Sequence, residues 1–124
     1  MTVPEQRQAR LTVQNYWRAR NLQLRREMEI LRQCVTQTQA LQRQVIDASA
    51  TAFTSADEWR KLLNTAKNQT RKARGQRTKV LKLVAADNDT IRIRPAHAEE
   101  CSQDHKDLLI KARAYIDLIE AMGF

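Results

Sequence analysis

The chain reads as an all-α protein: an elongated antiparallel bundle of three or four helices, organised as a coiled-coil hairpin with a very long first helix. Three observations predict this. Glycine and proline number two each in 124 residues, and Pro4, Pro95 and Gly123 fall near chain ends or a boundary, so little interrupts a helix. Apolar residues recur at steps of three and four over most of the length. Apolar content of 42% with only 5% aromatics and 29% charged residues suits rods, which carry more surface per residue than a compact mixed fold.

The first helix is expected from about residue 5 to about residue 50. Pro4 suits the first turn, where its missing N–H would be unpaired anyway. One face carries Val13, Trp17, Leu24, Met28, Leu31, Val35, Thr38, Val45, Ala48 and Ala52, broken at position 20 by an arginine. At 1.5 Å per residue such a helix spans roughly 70 Å. Thr51 to Ser55 reads as the first turn. Ser55 followed by Glu58 matches a capping box, which opens the second helix at about residue 56 and carries it to about residue 86.

The second helix has the stripe Trp59, Leu63, Ala66, Thr70, Ala73, Arg77, Val80 and Val84. Its middle is weak, and Gly75 costs about 1 kcal/mol against alanine there. Asp87-Asn88-Asp89 reads as a stop signal, and Ile91-Arg92-Ile93-Arg94 alternates as extended chain does, so residues 87–94 are expected to form an extended linker. Pro95 then opens a third helix to about residue 122, with Gly123 as its left-handed cap. Its stripe is regular: Ala98, Cys101, His105, Leu108, Ala112, Tyr115, Ile119 and Met122.

Packing two helices of roughly 40–46 Å against the first leaves part of it without support. A second helix folded back along its C-terminal half would expose residues 6–25, with Leu11, Val13, Tyr16, Trp17, Leu22 and Leu24. These six are expected to contact a protein partner or a second copy of the chain. The alternative is a break near residues 20–26 that folds this segment back as a fourth helix.

The charge is concentrated. Arg60, Lys61, Lys67, Arg71, Lys72, Arg74, Arg77, Lys79 and Lys82 fall in 23 residues that hold no acid. Removing these nine from the 22 basic residues leaves 13 against 14 acidic ones, so the net charge of +8 is local to this block. Such a surface attracts a polyanion or an acidic protein. The run Gln69 to Arg77 has the composition of an arginine-rich RNA-binding helix, but no aromatic residue interleaves with the charges to stack on bases. Nucleic-acid binding here would be driven by phosphate contacts and sensitive to salt.

Little suggests catalysis. There is no P-loop, no G-x-G-x-x-G, no H-E-x-x-H and no C-x-x-C. His97, Cys101 and His105 lie at i, i+4 and i+8, but the outer two are about 12 Å apart along a helix, too far to share one ion. No metal or cofactor is expected. Cys34 and Cys101 do not make a disulfide framework, and no apolar run approaches the length of a membrane span, so an intracellular location is expected: cytoplasm, nucleus or organelle interior. Residues 1–26 hold six arginines against one acid, a mitochondrial-presequence-like composition. The expected function is a non-enzymatic structural or adaptor subunit of a larger assembly. An autonomous phosphate-contacting nucleic-acid binder is the alternative, and a small metal-binding helical protein the next.

Overall fold

Four helices build the protein, as seen in a computed structural model that describes residues 1–51 and 54–124. They are α1 (Val3–Ser49), α2 (Ala56–Ile93), α3 (Pro95–Glu100) and α4 (Gln103–Ala121), with no strand among the described residues. Ala52 and Phe53, within the expected first turn, lie outside the described residues. No described helix is long and apolar enough to cross a membrane.

Local chemistry sets the helix starts. Thr2 and Glu5 form a reciprocal capping box on α1, and Ser55 and Glu58 form the same device on α2. Ser102 caps α4 by accepting from the His105 amide. Gly123 has φ 97°, the left-handed conformation expected after the last helix.

Two boundaries differ from the sequence expectation. Residues 87–93 are not an extended linker: α2 continues through Ile93, and only Arg94 is extended, at φ −112° and ψ 96°. The ring of Pro95 disfavours helical backbone in the residue before it, which confines the break to that position. The Asp87 stop signal is overridden because Asp87 occupies a seam position. Val80, Val84, Asp87 and Ile91 follow the same three-four spacing, and Asp87 is 1% exposed. The expected third helix is also two helices, since Cys101 is extended between α3 and α4. The break at Cys101 and Ser102 contains neither glycine nor proline. The apolar phase continues across it, so periodicity alone did not reveal it.

Helices α1 and α2 run antiparallel and share the largest interface. Arg20 meets Asp87, Glu27 meets Gln76 and Thr38 meets Gln69. Helix α4 lies in the groove between them, antiparallel to α2 and parallel to α1. Its start meets Asn21 and Arg25 through Asp104, and its end reaches Arg77 through Glu120. The core therefore occupies only part of the rod. It comprises Leu24, Leu31, Cys34 and Val35 from α1, Ala73, Val80 and Val84 from α2, and Leu108, Leu109, Ala112, Ile116 and Ile119 from α4, with Phe124 at its edge.

The expected overhang is covered only in part: residues 1–12 are all exposed, whereas Trp17 and Leu24 are buried. With seven more residues, α2 reaches back along the N-terminal part of α1, and α3 folds over Trp17. The Trp17 indole donates to the His97 carbonyl oxygen at 2.7 Å, one of the carbonyls in the last turn of α3. Helix α1 shows no break at residues 20–26. A second thinly covered part is the hairpin arm, residues 39–72, where α4 no longer covers α1 and α2. No described residue of that arm is buried.

Candidate partner-binding surface

The arm begins at a polar layer. Thr38 Oγ1 donates to the Cys34 carbonyl at 2.8 Å, and Gln69 Nε2 donates to Gln37 Oε1 at 3.2 Å. Thr38 is fully buried, and it marks the end of the core. Beyond it Leu41, Val45 and Ala48 of α1 face Trp59, Leu62, Leu63 and Ala66 of α2, all only half-buried. Two helices alone cover each other on one side, so an apolar seam between them stays half open to water.

On one side of the arm this seam forms a groove of about 650 Å³. Its floor is Val45, Ile46, Leu63 and Ala66, with Gln42 and Thr70 beside them, and the surface it presents is largely apolar. Ile46 is 66% exposed. Lys67, Arg71 and Arg74 line its α2 edge. At 3.6 residues per turn these three and Arg60 fall on one face of α2, while Lys61, Lys72 and Lys79 fall on another, about 100° around the axis. The block is thus two stripes, and one of them borders the groove.

The nine expected polyanion-binding residues divide by their neighbours. Lys79 Nζ lies 3.2 Å from Glu27 Oε1, and Arg77 Nε lies 3.9 Å from Glu120 Oε1. Arg77 also donates to the Phe124 carbonyl oxygen, and Arg74 donates to the Gly123 carbonyl oxygen at 3.2 Å. Arg60, Lys61, Lys67, Arg71, Lys72 and Lys82 form no ion pair among the described residues. All six are exposed. The cations under α4 are therefore partly neutralised within the chain, and those on the arm are not. Gln76 and Lys79 together hold the Glu27 carboxyl below its ordinary range. The 2.6 Å hydrogen bond from Gln76 Nε2 contributes most, and burial opposes it.

The six expected interface residues of α1 also divide. Trp17 and Leu24 are buried within the chain at 4% and 1% exposure, which corrects their assignment to a partner contact. Trp17 packs edge-on against Tyr16 and lies 5.2 Å, ring to ring, from His105. Val13 is half-buried, and Leu11, Tyr16 and Leu22 remain exposed.

His97, Cys101 and His105 do not converge. His105 is held by Asp87, whose Oδ2 lies 2.9 Å from Nε2, and by Asn21, whose Nδ2 lies 3.1 Å from Nδ1. Arg25 Nε donates to Asn21 Oδ1 at 2.9 Å, which turns the Asn21 amide nitrogen toward the ring. In the tautomer that satisfies both contacts, Nε2–H donates to Asp87 and Nδ1 accepts from Asn21. Burial pushes the Cys101 thiol pKa up, away from the reactive thiolate. No group of three or more His, Cys, Asp or Glu side chains is gathered as metal ligands among the described residues.

No protein-family model, curated protein or solved structure matches this chain.

The groove floor was not visible in the sequence as a site. Val45, Leu63 and Ala66 belong to the predicted seams and read there as core. What makes them a surface is that α4 ends before reaching them, which no local pattern encodes.

Proposed function

We propose that this chain is a non-enzymatic helical adaptor, a structural subunit of a larger assembly that presents the basic face of its hairpin arm to an acidic partner. One observation carries the reading. Five cations, Arg60, Lys61, Lys67, Arg71 and Lys72, form no ion pair among the described residues and stand on the hairpin arm, of which no described residue is buried. Like charges held this close repel one another, and the arm has little core to offset that cost. An acidic partner would relieve the repulsion and cover the seam together. Exposed Leu11, Tyr16 and Leu22 at the opposite end offer a second, smaller contact.

The test is capture of partners from native extract, with and without nuclease, by the wild type and by Lys67→Glu/Arg71→Glu/Lys72→Glu. The expected result is a partner retained through nuclease and lost with the triple reversal. Capture indifferent to the reversal refutes the reading. Loss on nuclease alone moves the assignment to nucleic acid, the alternative the charge raised at the outset.

A further inference from the structure

We infer that the groove on the hairpin arm is the seat of one helix from a protein partner: amphipathic, acidic along its α2-facing edge, and laid end to end with α4. This deepens the adaptor role proposed above and rests on it.

Helix α4 shows what the α1–α2 pair accepts. In the adjoining part of the same rod, α4 places Leu108, Ala112, Ile116 and Ile119 between α1 and α2 and completes a core that the two alone cannot close. The arm offers the same kind of seat, and Val45, Leu63 and Ala66 wait half-buried for a third apolar face. The 17 residues of α2 from 56 to 72 span roughly 25 Å, close to the roughly 28 Å of α4, so a partner helix of similar length fills the seat.

Charge selects the occupant. Where α4 meets the basic block, it sets Glu120 opposite Arg77, one residue after the buried Ile119. Lys67 and Arg71 continue that edge along the groove with no acid opposite them. An occupant that repeats the α4 pattern, with apolar residues at three-four spacing and a glutamate just after alternate apolar positions, satisfies floor and edge together. A nucleic acid meets only half of the requirement. Its phosphates would pair with Lys67 and Arg71 but would leave the Val45, Ile46 and Leu63 floor wet, and the block has no aromatic residue to stack on bases.

The probe is a fluorescein-labelled peptide of about three heptads built on that pattern. Its controls are a scrambled peptide of the same composition and poly-uridine RNA. Anisotropy is read with the wild-type chain, with Ile46→Ser, with Lys67→Glu/Arg71→Glu, and with Lys72→Glu on the other stripe. Ile46 is 66% exposed, so its replacement leaves the fold intact, which circular dichroism verifies. The patterned peptide should bind at least about tenfold tighter than the scramble. Ile46→Ser and the double reversal should each weaken it at least about tenfold, and Lys72→Glu should not. Equal binding of patterned and scrambled peptides, or binding of poly-uridine that ignores Ile46→Ser, overturns the helix seat in favour of a plain polyanion surface. Failure of the patterned peptide to bind overturns the seat as well. The adaptor role falls separately, if partner capture ignores the triple reversal or is lost on nuclease alone, so the two failures are distinguishable.

Discussion

Replacing Asp87 with alanine should be among the most destabilising single changes in this protein. Asp87 is 1% exposed and accepts two hydrogen bonds from cationic or polar donors on different helices. Arg20 Nε lies at 2.6 Å and His105 Nε2 at 2.9 Å. A hydrogen bond to a charged group contributes about 1.5–3 kcal/mol, and removing one partner of a buried pair costs about 3–5 kcal/mol because the other is stranded. Arg20 would keep its contact to the Leu83 carbonyl at 3.3 Å and some access to water, whereas the buried His105 Nε2–H would keep nothing. The expected loss is therefore about 3–5 kcal/mol, a large share of the roughly 5–15 kcal/mol that holds a domain folded. Asp87→Asn keeps the shape and one acceptor and should cost less. Urea unfolding followed by helix ellipticity measures both, with Asp89→Ala as the control. Among the described residues Asp89 pairs with exposed Arg92, and such surface pairs contribute about 0–1 kcal/mol. If Asp87→Ala falls within about 1 kcal/mol of that control, the network does not hold the helices together.

Other outcomes follow from particular groups. The Glu27 carboxyl has its pKa lowered from 4.5, chiefly by Gln76, so it adds stability above that pH and loses it as pH falls through the lowered value. Glu27→Gln should flatten the acid limb of a stability–pH profile below 4.5; an unchanged limb would show that other carboxylates set it. Gly75 is exposed in mid-helix with nothing within 4 Å of an added Cβ, so Gly75→Ala should stabilise by about 0.5–1 kcal/mol, read as a higher urea midpoint. Cys34 and Cys101 are both free and buried, and Cys101 has its pKa raised. Neither should react with a thiol reagent at the rate of an exposed thiol until the protein unfolds, and rapid labelling of the native state would contradict the packing.

Much of the architecture was legible where local chemistry decides it. The Ser55–Glu58 box fixed the start of α2, and the Gly123 turn closed the last helix, because both devices act within a few residues. The α1 stripe around Leu24, Leu31 and Val35 marked the core face because burial follows the helical period. Long-range partners hid the remainder. Arg20 looked like a fault in the α1 stripe and Asp87 like the end of α2, yet each supplies what the other needs across the interface. That pair ties the end of α2 to the first half of α1, while the start of α1 and the hairpin arm both stay exposed. The basic residues were legible as a group, but their division into paired and unpaired sets depends on where α4 ends.

Consider how a chain with its core so far from its first turn can fold. Helical hairpins commonly zip from the turn outward, since contacts next to the turn close the shortest loops. Here the contacts next to the turn belong to the arm and leave their residues at most half-buried, so they offer only a weak nucleus. The shortest well-packed closure joins α2 to α4, where Asp87 meets His105 across 18 residues. Glu27 and Gln76 are 49 apart, and Arg20 and Asp87 are 67 apart. By loop-closure entropy the 49-residue contact costs roughly 1 kcal/mol more to form than the 18-residue one. The expected order is α2 with α4 first, α1 docking onto that pair, and the arm aligning last. Truncations at Val84 and Leu109 should therefore slow folding, while those at Leu24 and Leu31 should chiefly speed unfolding.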